Sequence, residues 1–250
     1  EMTRLAGLKT YVGGNIGIPA LDLLSDSTPD LYVLELSSFQ LETTYSLNAH
    51  ASVVLNVSPD HMDRYSSLKD YVNTKKRIYS GQGLMVLNKD EEYIHSIIDS
   101  KRDTIYFSLG APEGENFGLI NHNNEVWLSQ GNEKIINKNQ LKIKGEHNVS
   151  NALAAMALAG AVNVPTNIMA DVLKNFTGLE HRCQLVREID NVSWYNDSKA
   201  TNVGACIASI TGLCELGNII LIAGGDSKGA DLSGLNPIVK KYIKRVFLFG

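Results

Sequence analysis

Short aliphatic and β-branched runs recur along the chain, separated by longer stretches in which apolar side chains return every three or four positions. Leu31 to Leu36 and Ala51 to Val57 have the unbroken apolar character of buried parallel strands, and each is followed by polar residues and a helix-like segment. Met85 to Asn88 and Thr104 to Phe107 read as further strands, the Asn-rich stretch 116–124 as an exposed loop. The loose alternation over 125–144 around Gly131-Asn132 predicts an antiparallel hairpin at the edge of the sheet. From Asn148 to Val162 the chain is apolar nearly all round, which predicts a core helix, and a second helix ends near Asn175. After TGLEHR a new series begins: strand 192–196, helix 203–213, strand 219–223, a glycine-rich loop, helix 235–244 and strand 246–249. The alternation predicts an α/β fold with a parallel sheet, an antiparallel edge and a domain boundary near 177–180.

Composition narrows the classes. At 250 residues, 44% hydrophobic and 20% charged, the chain suits one large domain or up to two, and wholesale disorder is excluded. A net charge of -4 with no basic block speaks against nucleic acid. The three cysteines, Cys183, Cys206 and Cys214, form neither a disulfide framework nor a zinc set, which fits a reducing cytoplasm. The longest apolar stretch, 153–162, is too short to span a membrane. EMTRLAGLKTYVGGN reads as the tail of a helix entering a strand or loop, and RVFLFG as a strand awaiting its helix, so sequence is expected on both sides.

Ligands of parallel α/β sheets collect at the carboxyl ends of strands, and four such places are chemically dense. In ELSSFQLE, Glu35 is a carboxylate in an apolar strand, a position costly to bury unpaired; it is read equally as a cap or salt-bridge partner and as a metal ligand. NVSPDHMDR places His61 after the next strand, and if the two strands are neighbours His61 and Glu35 converge on a magnesium-type site. Lys75, Lys76 and Arg77 are accounted for by a solvated helix face. GEHNVSN opens the apolar helix with Asn148 and Asn151 on one face, where an N-terminus suits an anion but also makes an ordinary cap. NDSKATN and GGDSKGAD bring Lys199 and Lys228 onto strand-end loops, which suits a small anionic substrate, although each loop alone is explained by turn chemistry. No GxxxxGK[ST] phosphate loop occurs among the 250 residues.

Taken in order, GGNIGIPAL, YVLELSSFQLETT, LNVSPDHMDRY, KGEHNVSNALAA, GLEHR, NDSKATN and IAGGDSKGADL resemble the Mur ligase superfamily, with NDSKATN and SSFQLE closest to its D-glutamate-adding branch. The resemblance implies a central ATP-binding domain over 1–178, truncated at its start, and the first part of a Rossmann-like domain over 179–250. It implies ATP-dependent addition of D-glutamate to UDP-N-acetylmuramoyl-L-alanine through an acyl phosphate, by a cytoplasmic and monomeric enzyme of peptidoglycan synthesis, with two Mg²⁺ ions. Carried over by motif, Glu35 and His61 become magnesium ligands, with Ser37 nearby and Asn15 and Gln40 near the substrate. Lys75 becomes a carbamylated lysine facing the metal, with Lys76 as rival in register. Asn148, Asn151, His181, Arg182 and Asp197 line the nucleotide, and Lys199, Thr201 and Lys228 face the D-glutamate carboxylates. Cys183-Gln184 depart from the family pattern, which commonly has an aromatic and an acidic residue there. Another Mur ligase, a folylpolyglutamate synthase-like ligase and a non-catalytic nucleotide-binding piece are the alternatives.

Overall fold

A computed structural model of the chain describes residues 1–24, 27–92, 101–214, 218–226 and 231–249. The chain divides into two units, the first comprising Glu1–Val57, Lys69–Leu141 and Ser150–Asn175, the second Ser58–Leu68, Lys142–Val149 and Phe176–Gly250.

In the first unit a short helix, α1 (Met2–Leu5), leads into β1 (Thr10–Gly14), which pairs in parallel with β2 (Leu31–Glu35). One turn of helix, α2 (Ser38–Glu42), follows β2. The main sheet runs β3 (Ala51–Val54), β4 (Leu84–Asn88), β5 (Thr104–Phe107), β6 (Phe117–His122), β7 (Glu125–Gln130), β8 (Glu133–Asn137). Its first four strands are parallel and the last two return antiparallel, so the expected antiparallel edge is present. Helix α3 (Leu68–Lys76) connects β3 to β4 through a 3₁₀ turn at Arg77–Tyr79. Helices α4 (Glu146–Gly160) and α5 (Thr166–Asn175) follow the sheet. Val149, Ala152, Leu153, Ala154, Met156 and Ala157 of α4 are all buried, as an apolar circumference requires.

Three readings are corrected. The stretch 116–124 is a strand from Phe117 to His122, with Phe117 only 2% exposed, because Phe117, Leu119 and Ile120 supply sheet residues and only Asn123 and Asn124 make the turn. Asn123 and Asn124 take φ of 52° and 63°, the left-handed pair that a two-residue hairpin turn demands. Leu31–Glu35 is parallel but not buried: Tyr32, Val33 and Leu34 are each about two-fifths exposed, since β2 has β1 as its one strand partner among the described residues. Strand β3 likewise pairs with β4 and not with β2, so the neighbour relation expected to bring His61 to Glu35 is absent from the sheet pairing.

In the second unit β9 (Gln184–Ile189) and β10 (Val192–Asn196) form a hairpin around Asp190 and Asn191, both at positive φ. Strand β9 escaped the hydrophobic pattern because Arg187 and Glu188 interrupt it and it is exposed along nearly its whole length. Helix α6 (Val203–Leu213) leads to β11 (Ile219–Gly224), which pairs in parallel with β12 (Ile243–Phe249) through α7 (Asn236–Tyr242). Helix α7 stops at Tyr242 and β12 starts at Ile243, three residues earlier than the pattern suggests, because Ile243 already pairs with Ile219.

One side chain ties α3 to the main sheet. The Val54 N–H donates to Tyr79 Oη at 2.8 Å, and that hydroxyl donates to the Val86 carbonyl at 3.1 Å, linking β3 to β4 inside a core of Met85 and Leu87. Burial pushes the Tyr79 phenol well above its ordinary range, so it stays a donor at any physiological pH. Tyr79→Phe leaves both backbone groups without this partner and is expected to lower stability by about 1–3 kcal/mol, measured as a shift in the urea midpoint.

Candidate active site

The carboxyl ends of β1 and β2 meet in a close backbone approach. Gly14 has φ 113°, and a Cβ there would lie 2.3 Å from the Glu35 carbonyl oxygen; one on Gly13 would lie 2.1 Å from that of Ile18. Only glycine fits either position. The Asn15 N–H then donates to the Glu35 carbonyl at 2.7 Å, which sets Asn15 and Glu35 side by side with both residues exposed. The expectation of a costly buried carboxylate at Glu35 is thereby corrected: it ends an uncovered strand.

Beyond Glu35, Ser37 caps α2. Its hydroxyl accepts from the Gln40 N–H at 3.2 Å, and the Gln40 side-chain oxygen accepts from the Ser37 N–H at 2.9 Å, a reciprocal capping box. Two residues read as ligand contacts thus also fix the turn that follows the carboxylate. Lys75, half-buried in the last turn of α3, holds its ammonium 5.0 Å from the centroid of the Tyr71 ring.

A second group of expected site residues assembles in the other unit. His61 adopts φ 56°, held by Asp60, whose Oδ1 accepts the His61 N–H at 2.9 Å and whose Oδ2 lies 4.0 Å from His61 Nε2. Asn202 caps α6 by accepting from the Ala205 N–H at 2.9 Å and donates from Nδ2 to Asp60 at 3.4 Å. His61 is therefore tethered to NDSKATN, a relation the sequence reading missed because 142 residues separate the partners. His181 is stitched to the same segment: its Nδ1 meets Asn196 Nδ2 at 2.9 Å, and its carbonyl accepts from the Lys199 N–H at 3.1 Å. Asp197 accepts from the Cys183 N–H at 2.9 Å, and the Thr201 N–H reaches the Lys199 carbonyl at 3.0 Å. His181, Arg182, Lys199 and Thr201 are exposed, Asp197 half-buried. Lys228 lies outside the described residues.

At the start of α4, Asn148 Nδ2 donates to the Lys144 carbonyl at 2.7 Å, and Asn151, one turn on, is exposed. His147 packs tightly beside Gly212 of α6: a Cβ on Gly145 or Gly212 would fall 2.8 or 3.1 Å from its ring. Burial pulls the His147 imidazole below its ordinary 6.5, with Asp197 pulling weakly the other way. Burial first, and the Asp197 carboxylate second, push the Cys183 thiol up to about 11 and raise that of Cys206. These thiols stay protonated and unreactive near neutrality.

No three His, Cys, Asp or Glu side chains cluster as metal ligands among the described residues. Magnesium does not require such a cage: it keeps several waters and takes one or two carboxylates together with phosphate oxygens. An exposed carboxylate at a strand end, as at Glu35, fits that demand. No helix among the described residues is long and apolar enough to cross a membrane.

These elements make a mixed α/β protein with a central, mostly parallel sheet and polar loops after several of its strands. The sequence profile of the Mur ligase middle domain matches residues 7–159, and the chain belongs to the Mur ligase family. It is 49% identical over 249 residues to the UDP-N-acetylmuramoylalanine--D-glutamate ligase of Nitrosococcus oceani, covering 100% of this chain and 55% of that protein. To the protein of the same name in Methylobacillus flagellatus it is 47% identical over 251 residues, with the same coverage. The chain therefore spans about half the length of the curated relatives it matches. Among solved structures, MurF from Acinetobacter baumannii aligns with a TM-score of 0.75 at 16% identity, covering 100% of this chain and 60% of that one. MurF ligase from Thermotoga maritima, in complex with ADP, gives 0.71 at 16% identity, covering 99% and 66%. These likenesses show the mixed α/β fold.

The depressed His147 makes a pH prediction. Because its folded-state pKa lies below the unfolded value, the unfolded chain takes up a proton that the folded chain refuses. The stability is therefore complete above about 6.5 and lost as pH falls through the folded value. The urea midpoint of the 250-residue chain is expected to drop from about pH 7 to about pH 5.5, and His147→Gln to flatten that drop. Identical pH profiles for the two proteins contradict it.

Proposed function

We propose that this chain is the ATP-binding and amino-acid-binding portion of a ligase that adds D-glutamate to UDP-N-acetylmuramoyl-L-alanine in cytoplasmic peptidoglycan precursor synthesis. The observation that carries the reading is near-50% identity along the whole chain to proteins bearing that ligase name. The reaction consumes ATP, the terminal carboxylate of the UDP-sugar and the amine of D-glutamate, and yields an amide, ADP and phosphate. A carboxylate cannot expel oxide, so its oxygen first attacks the γ-phosphorus and ADP leaves. The D-glutamate nitrogen then attacks the acyl carbon of the mixed anhydride, loses a proton, and phosphate leaves with the former carboxylate oxygen.

Each part of the chain has a task in this reading. Glu35, with Ser37 beside it, would hold magnesium, which when bound spreads the charge gathered during phosphoryl transfer; His61 is assigned to magnesium by the family motif alone. Asn15 and Gln40 orient the UDP-sugar end. Lys75 would carry a carbamate, formed by addition of its amine to CO₂ with loss of a proton, and would thereby supply anionic oxygens for a second magnesium; alignment on the following Arg-Ile-Tyr favours it over Lys76. Asn148 and Asn151 meet the adenine, with His181, Arg182 and Asp197 on the nucleotide side, while Lys199, Thr201 and Lys228 pair with the D-glutamate carboxylates. We read residues 1–178 as the central ATP-binding domain, residues 179–250 as the start of a Rossmann-like domain, and the enzyme as monomeric.

The test is ADP release by the whole ligase carrying this sequence. Turnover is expected only with both the UDP-sugar and D-glutamate, and replacing D-glutamate by L-lysine or D-alanyl-D-alanine abolishes it. Equal turnover with another amino acid overturns the assignment of substrate. Glu35→Gln and Lys75→Ala are each expected to lower kcat by roughly 10²-fold or more, the loss of one stabiliser of transition-state charge. Short carboxylic acids, but not bicarbonate, partly restore Lys75→Ala, and an unchanged kcat in that variant removes the carbamate from Lys75. The 250-residue chain alone is expected to be inactive, since it contains no phosphate loop.

A further inference from the structure

Arg77 does not lie on a solvated face. Its Nη1 donates to the Glu42 carbonyl at 3.0 Å and its Nη2 to the Thr44 carbonyl at 3.1 Å, while the guanidinium carbon stands 5.1 Å from the centroid of the Tyr45 ring. The first acceptor belongs to the last residue of α2 and the second lies two residues beyond it, in the turn that leaves the helix. A planar fork can serve both at once; an ammonium cannot hold the same two-point geometry. The stacked Tyr45 fixes the plane of the fork from a third direction.

The position of this contact gives it meaning. At its N-terminal end α2 carries the Ser37–Gln40 capping box, and two residues before Ser37 stands Glu35. On the other side, Arg77 lies two residues after Lys75. Tyr79, one helical turn beyond Lys75, is bound into β3 and β4 by its hydroxyl. Lys75 is thus carried on a segment pinned to the main sheet by Tyr79 and to the α2 turn by Arg77. Of these two pins, Arg77 alone bears on the segment that carries Glu35.

We propose that Arg77 is a positioning residue that sets the spacing between Lys75 and the Glu35–Ser37 segment for the phosphoryl-transfer step. This rests on the reading that Lys75 and Glu35 serve one metal-dependent reaction. The guanidinium is engaged by the Glu42 and Thr44 carbonyls, so in this reading it acts through the backbone of the α2 turn. Its loss should therefore fall on the chemical step and on magnesium dependence, and should spare the binding of D-glutamate.

The experiment compares the whole ligase with its Arg77→Ala, Arg77→Lys and Glu35→Gln variants, measuring kcat, KM for each substrate, half-saturating magnesium and the thermal midpoint. For Arg77→Ala the expected result is a fall in kcat of between about tenfold and 10²-fold, the cost of misplacing reacting groups by a fraction of an ångström to an ångström. Half-saturating magnesium is expected to rise several-fold while KM for D-glutamate stays within about twofold, because the contact bears on the metal side of the site. Methylguanidinium is expected to restore part of the kcat of Arg77→Ala, and Arg77→Lys to remain impaired although it keeps the charge. A kcat within about twofold of wild type in both Arg77 variants, or a loss that disappears below their lowered thermal midpoints, overturns the proposal. If Glu35→Gln is also fully active, the underlying metal reading falls; if Glu35→Gln is inactive while Arg77→Ala is normal, only the role of Arg77 falls.

Discussion

Two parallel strands end so close together that no side chain fits between them, and the chemistry assigned to the first unit depends on that contact. Gly14 approaches the Glu35 carbonyl within the space a Cβ would need. Asn15 then takes that carbonyl as its acceptor, and the register Gly14↔Glu35 follows. A carboxylate at the end of a strand is useful only if its direction is fixed. Here the backbone fixes where Glu35 leaves the strand, and its side chain stands exposed. From this point the order passes along the chain through the Ser37–Gln40 capping box to α2, and across space through Arg77 to α3 and Lys75.

The second unit solves a similar problem with side chains. The segment around His61 is joined to Asn202 through Asp60, and the segment at 181–183 to that at 196–199 by hydrogen bonds from Asn196, Lys199 and Cys183. Asn202 uses both ends of its amide, one to cap α6 and one to reach Asp60. Gly145 and Gly212 meet beside the His147 ring, which brings the start of α4 against α6 while burial depresses the imidazole pKa.

Much of this was legible in the sequence, for identifiable reasons. Strands β3, β4 and β5 and helix α4 follow from their runs of apolar residues, and the hairpin of β7 and β8 from alternation around Gly131-Asn132. The Asn148 and Asp197 motifs follow from polar residues set at element boundaries. What was illegible depended on partners. Strand β6 hid behind the asparagines of its turn, and β9 behind Arg187 and Glu188. The exposure of Glu35 depends on which strands flank β2, which no local pattern states. Arg77 read as a solvated cation because its acceptors are backbone carbonyls, invisible in the letters of the chain. The same holds for the tether between Asp60 and Asn202.

The central claim is that these strand ends serve activation of a carboxylate by phosphoryl transfer. The most direct measurement labels the terminal carboxylate of UDP-N-acetylmuramoyl-L-alanine with ¹⁸O and follows the phosphate released by the whole ligase by ³¹P NMR. The account predicts that one ¹⁸O atom appears in phosphate for each amide formed. Phosphate released without label, alongside amide formation, would contradict it.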